Sequence, residues 1–138
     1  MLPMWKCCQW PISISNVGSG MIELEDRIVR FVARCIKVCA VLPAKSIGSS
    51  SFADQMFRSS TSIAANYAEA CEAESAKDFV HKLKVAMKEL SETRIWLRLI
   101  GEVDYVDKTK LADLIGESRE LSRILSASVI TAKRKVGG

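Results

Sequence analysis

Residues 76–100, AKDFVHKLKVAMKELSETRIWLRLI, contain the apolar pattern that decides the fold. Apolar or small side chains recur there in alternating steps of four and three, which places them on one face of an α-helix. No glycine or proline interrupts the run. This heptad-like spacing predicts a long helix that packs against other helices along its whole length. The positions are Phe79, Leu83, Ala86, Leu90, Thr93, Leu97 and Ile100.

Three other segments repeat the helical period, and they lie within residues 24–42, 52–70 and 111–129. Pro43 is predicted to end the first helix, because proline cannot continue a helix and the stretch after it is rich in glycine and serine. No segment alternates with the two-residue period of a strand. The sequence therefore predicts an all-α fold, most simply an antiparallel up-and-down four-helix bundle.

Polar residues predict where three of these helices begin. Ser51 followed by Asp54 resembles a capping box for the second helix, and Ser75 followed by Asp78 repeats the pattern for the third. Asp107 is the predicted N-cap of the fourth helix.

The 138 residues suffice for one domain. Residues 1–20 contain two tryptophans, two prolines and an adjacent cysteine pair without any helical or strand period, so we expect a poorly ordered segment. The bundle is predicted over residues 21–135, followed by a flexible tail at 136–138. Because the periodic part begins at Met21, we hypothesise that the natural chain starts there and that the preceding segment is an upstream extension.

The composition argues against an enzyme. His81 is the only histidine, which excludes sites built from several imidazoles. The five cysteines are odd in number and form no C-x-x-C pair, which predicts reduced thiols and a cytoplasmic protein. Cys35 and Cys39 lie one helical turn apart, and we expect buried thiols there rather than metal ligands. The sequence predicts no catalytic residue, no metal, no cofactor and no membrane segment.

Basic residues form two stripes at helical spacing, one on the first helix and one, which includes His81, on the third. The formal net charge is +4. Such stripes predict an anion-binding surface whose contacts with phosphates are electrostatic and independent of base sequence. The alternative is that they are ordinary solvated helix faces. The candidate nucleic-acid contacts are Arg27, Arg30, Arg34, Lys37, Lys77, Lys84 and Lys88.

A narrow polar line follows the second helix beside its apolar stripe. Its members are spaced 3, 4, 4 and 3 residues apart, and small side chains flank them. Such a line allows another backbone to approach closely and polar groups to pair across an interface. The alternatives are a solvated face and, less favoured, an enzyme site at a subunit interface around Glu69. The five residues are Gln55, Arg58, Ser62, Asn66 and Glu69.

The run at residues 54–70, DQMFRSSTSIAANYAEA, resembles the signature of the bacterial four-helix-bundle family encoded in intervening sequences of 23S ribosomal RNA genes. The resemblance covers roughly residues 22–133. It implies an antiparallel four-helix bundle, commonly assembled as a homopentamer, without an established enzymatic activity. It also implies a structural or inter-subunit role for the polar line. The glycine that ends the family signature is replaced here by Ala70.

The family is similar to the accessory variability proteins of diversity-generating retroelements, which are basic pentamers that bind nucleic acid and a reverse transcriptase. Together with the basic stripes, this likeness favours a non-enzymatic, self-associating scaffold or binding module that contacts RNA or DNA non-specifically. The alternative is an adaptor for a protein partner that does not bind nucleic acid.

Overall fold

The computed structural model of the chain describes residues 24–137, which form four helices and, within that range, no strand. The all-α four-helix bundle is confirmed. The predicted segment 1–20 lies outside the described residues, as does Gly138, whereas residues 136 and 137 continue the last helix. The helices are α1 (Leu24–Ala40), α2 (Ser49–Cys71), α3 (Ala76–Glu102) and α4 (Lys108–Gly137).

Contacts between residues distant in sequence show that neighbouring helices run antiparallel. Glu69, near the end of α2, lies 2.8 Å from Lys82, near the start of α3 (Oε2 to Nζ). Arg58, earlier in α2, meets Glu89, later in α3, at 3.3 Å (Nη1 to Oε2). Helix α4 then returns along α3 and closes the bundle against α1, so that each helix lies beside two neighbours and α1 is diagonally opposite α3.

The predicted apolar face of α3 forms the centre of the core, and all seven of its positions are buried. Small side chains let α2 approach it closely. Ser59 and Thr93 are both fully buried, and their hydroxyl oxygens lie 2.8 Å apart between the two helices. Large apolar side chains from the other helices complete the core, among them Ile28, Phe31, Met56, Ile63, Leu111, Leu121 and Leu125.

Two of the three predicted caps are confirmed. The Ser75 Oγ accepts a hydrogen bond from the backbone N–H of Asp78 at 3.0 Å, which caps α3. The Asp107 Oδ1 accepts from the N–H of Thr109 at 2.8 Å, at the start of α4. Each bond satisfies a backbone donor that the first turn of a helix leaves without a partner.

The predicted capping box of α2 at Ser51 and Asp54 is wrong. The helix already begins at Ser49, and its N-cap is Gly48, which makes no side-chain cap. Gly48 has a φ of 73°, a left-handed conformation that glycine adopts without a steric penalty. The backbone therefore turns into the helix at Gly48, three residues before Ser51 of the predicted box.

Aromatic contacts fix one end of the bundle, where the α1–α2 and α3–α4 loops meet. The ring of Phe52 makes edge-on contacts with Trp96 at 5.9 Å and with Tyr105 at 6.1 Å between centroids. The Tyr105 hydroxyl donates a hydrogen bond to the carbonyl oxygen of Ile47 in the other loop. These contacts fix the turn that leads from α3 into α4.

Candidate nucleic-acid interface

Carboxylates of α4 neutralise part of the basic stripe on α1. Arg27 donates two hydrogen bonds to Glu117, from Nε at 2.6 Å and from Nη2 at 3.1 Å. Arg34 donates from Nη2 to the Asp113 Oδ2 at 2.6 Å. The hydrogen bond with Glu117 raises the pKa of Arg27. These two guanidinium groups therefore join α1 to α4, and they offer little uncompensated charge to an external anion.

Four other predicted contacts keep their charge exposed. They lie on the solvent side of α1 or α3. No carboxylate within residues 24–135 forms an ion pair with any of them. They are Arg30, Lys37, Lys77 and Lys88.

The seventh predicted contact, Lys84, lies beside another cation. The fourth helix brings Lys133 next to it, and the close contact and repulsion between the two ammonium groups lower the pKa of Lys84. Neither lysine has a carboxylate partner in the described part of the chain. Like charges repel in the free protein, so this pair is stabilised when an anion lies between them or over them.

A second group of cations lies further along the same two helices. Arg94 donates from Nε to the Ser118 Oγ at 3.0 Å and from Nη2 to the Ser122 Oγ at 2.7 Å, so α4 holds its guanidinium in place. Burial lowers the pKa of Arg94, and repulsion from Arg119 and Arg98 lowers it further. The partners of Arg94 are neutral hydroxyls, and its charged neighbours have the same sign.

These five side chains define what we call the α3–α4 basic face: Lys84, Arg94, Arg98, Arg119 and Lys133. Lys84 and Arg98 are separated by fourteen positions along α3, a distance of about 21 Å at the helical rise. Duplex nucleic acid carries one phosphate charge per ~1.7 Å of axis, so a segment of this length presents several phosphates to the face.

Of the seven contacts predicted by residue from the sequence, only Lys84 belongs to this face. The spacing of four between Arg94 and Arg98 was a usable signal for α3, because such residues share a helix face. Arg119 and Lys133 join them only through the antiparallel packing of α4, which no spacing within one helix encodes.

The polar line of α2 is engaged within the chain. Arg58 forms ion pairs with Glu89 and Glu92 of α3, and the hydrogen bond from Arg58 lowers the pKa of Glu92. The Trp96 indole N–H also donates to Glu92, at 3.2 Å. Glu69 pairs with Lys82, as described above. These contacts tie α2 to α3.

The other members of the line lie on the same side of α2. The Asn66 side-chain amide donates to the backbone oxygen of Ser62 at 2.9 Å and to its Oγ at 3.1 Å. Gln55 is exposed near the start of the helix. The line is thus a local network and an α2–α3 junction within one chain.

The thiols of the bundle lie apart from this surface. Cys35 is fully buried, and burial raises the pKa of its thiol to about 12. Burial also raises the pKa of Cys39, whose Sγ donates to the Ala53 oxygen at 3.5 Å. Among the described residues, no three potential ligands of the types His, Cys, Asp and Glu converge on a metal position. No helix within residues 24–137 combines the length and apolar character needed to cross a membrane.

Comparison with known proteins supports the resemblance seen in the motif. The chain is similar to a structure described as a protein of unknown function from the S23 ribosomal protein family of Bacteroides thetaiotaomicron. The two share 29% identity with a TM-score of 0.70, over 77% of this chain and 97% of that one. No curated protein matches the chain. The family model of the 23S rRNA-intervening sequence protein matches residues 22–127, and the chain therefore belongs to that family.

Proposed function

We propose that this chain is a cytoplasmic, non-enzymatic binding module that self-associates and holds RNA or DNA without sequence preference. The observation that carries the proposal is the α3–α4 basic face. There Lys84 lies beside Lys133, and Arg94 lies near Arg98 and Arg119, and none of these cations has a carboxylate partner in the described residues. Like-charge clusters cost energy in the free protein, and phosphate groups relieve that cost on binding.

The apolar surface of α1 and α2 supports self-association. Val29 and Ile36 are 53% and 38% exposed, and at 100° per residue they lie on the side of α1 away from Arg27 and Arg34, which contact α4. Phe57, which is 52% exposed, follows Ala53 by one turn and shares its α1-facing side of α2. A second copy of the chain would remove this apolar strip from water. We expect the assembly to be a homopentamer, as the family resemblance implies.

The carboxylates at the junction of α2 and α3 support a non-enzymatic role. Glu69 and Glu92 both form ion pairs, and Arg58 holds the pKa of Glu92 below its ordinary value. A general acid at neutral pH needs a raised pKa, so this environment disfavours acid catalysis by Glu92. An interface enzyme around Glu69 has no further support from the geometry.

An electrophoretic mobility shift across a salt series tests the proposal. Labelled RNA or DNA of arbitrary sequence should shift at low salt. Its affinity should fall steeply between ~50 and ~200 mM salt, because protein binding releases the counterions condensed on the nucleic acid. No shift at low salt would refute nucleic-acid binding and leave the protein adaptor as the better explanation. Light scattering tests self-association, which a monomer at micromolar concentration would contradict.

A further inference from the structure

A shallow pocket of about 290 Å³ opens at the α3–α4 turn, beside the α3–α4 basic face. Its rim carries the cations Arg98, Lys108 and Arg119 and one acid, Glu102. The acid is paired with Lys108 at 3.1 Å, between Oε2 and Nζ. Arg98 and Arg119 form no ion pair within the described residues, so two arginines keep uncompensated charge at the opening.

The floor of the pocket is apolar. Leu97 and Leu111 lie beneath it as buried core residues, and the apolar surface that a ligand can touch comes from half-buried Ile115 and the methyl group of exposed Ala112. The site thus combines a cationic rim with an apolar base. Its volume is at the lower end of the range for small-molecule sites, which fits one compact group rather than an extended ligand.

Gly101 is buried at this corner, where α4 packs closely on α3. A Cβ at that position would lie 3.3 Å from the Lys108 Cγ and 3.4 Å from the Leu111 Cδ1. A glycine therefore lets the first turn of α4 approach α3 without a side chain between them. Beyond the opening, Ser118 and Ser122 hold Arg94 in position, so the positive charge next to the pocket is fixed before any ligand binds.

We propose that this pocket receives an unpaired base of a single-stranded nucleic acid, while the arginines at its rim bind the neighbouring phosphates; the inference rests on the proposed function. A base is planar and weakly polar on its faces, which suits the apolar floor. Guanidinium groups bind phosphate in a bidentate manner and also stack on bases. In a duplex the base faces are already stacked inside the helix, so no base face is free to enter the pocket. The pocket therefore selects single strands over duplexes.

Fluorescence anisotropy with the full chain tests this selectivity. The probes are a labelled oligothymidylate and a duplex of the same length, each titrated at low salt. The wild type should bind the single strand about tenfold more tightly, because the contact made by one base contributes on that scale. Ala112→Leu fills the pocket without changing charge, so it should remove most of that preference and leave duplex affinity unchanged.

Ala33→Leu is the matched control, since Ala33 is exposed on α1, diagonally opposite α3, and does not line the pocket. It should change neither affinity, and circular dichroism should show that both variants remain folded. Equal affinity of the wild type for the two probes would refute base binding in the pocket and leave the proposed function intact. A single-strand preference that survives Ala112→Leu would also refute base binding there. Failure of both probes to bind would instead refute the proposed function itself.

Discussion

Removing charge from the α3–α4 basic face or from α1 tests the proposed position of nucleic acid. Lys84→Gln combined with Lys133→Gln removes two charges from the α3–α4 basic face. Arg30→Gln combined with Lys37→Gln removes the same net charge from α1, where both side chains are exposed and without ion-pair partners among the described residues. The two double variants are thus matched in net charge and differ in position.

The expected magnitude follows from counterion release. Each lysine that neutralises a phosphate contributes about 0.9 to the slope of log affinity against log salt, so the Lys84 and Lys133 variant should lower the slope by about 2. Over a fourfold increase in salt, from ~50 to ~200 mM, the wild type should therefore lose about tenfold more affinity than this variant. The α1 variant should keep nearly the wild-type slope, because α1 lies diagonally across the bundle from α3.

Mobility shift or anisotropy titrations at several salt concentrations measure both slopes. Thermal unfolding is the control for folding. The Lys84 and Lys133 variant should be at least as stable as the wild type, because it removes a repulsion that lowers the pKa of Lys84. If the α1 variant lowers the slope and the α3–α4 variant does not, the basic face is assigned to the wrong helices. Equal slopes for all three proteins would mean that neither pair contacts phosphate.

Four further results are expected. Thr93→Val should destabilise the fold by about 1 to 2 kcal/mol in urea unfolding, because it removes the hydroxyl partner of buried Ser59; combining it with Ser59→Ala should cost less than the sum of the single changes. A thiol reagent at about pH 8 should modify Cys35 only after unfolding, since its pKa in the fold is raised to about 12 and the thiolate is the reactive form. The stability that ionised Glu92 provides should be present above its ordinary pKa of 4.5 and lost as the pH falls through its lower pKa in the fold. In chemical denaturation, the free energy of unfolding of the Glu92→Gln variant should therefore decrease less at acidic pH than that of the wild type. Phe57→Glu should lower the mass measured by light scattering while helix content stays constant.

The fold could be predicted because each helix shows its core face in its own sequence. The steps of four and three in α3 mark all its buried positions between Phe79 and Ile100 without knowledge of its partners, and only Gly101 is buried outside the pattern. Ser75 and Asp107 could be predicted as caps for the same reason, since a cap bonds within its own first turn. The start of α2 could not, because the turn at Gly48 depends on backbone conformation and not on a polar side chain.

The candidate site could be predicted only in part, because charge compensation is a tertiary property. Arg27 and Lys84 are equivalent in sequence, as members of two basic stripes at helical spacing. In the bundle they differ, since Glu117 lies 2.6 Å from Arg27 and Lys133 lies beside Lys84. Ninety positions separate Arg27 from Glu117, so no local pattern shows that the first stripe is neutralised.

The fourth helix causes the difference between the α1 and α3 stripes, because its two sides carry opposite charge. Glu117 and Asp113 face α1 and neutralise arginines there, whereas Arg119 and Lys133 face α3 and add to its charge. At 100° per residue these two pairs lie on opposite sides of one helix. A net charge of only +4 is therefore consistent with a strongly basic face, because the acids of α4 are used on the side away from it. The arrangement of charge around α4, rather than its total, determines where an anion can bind.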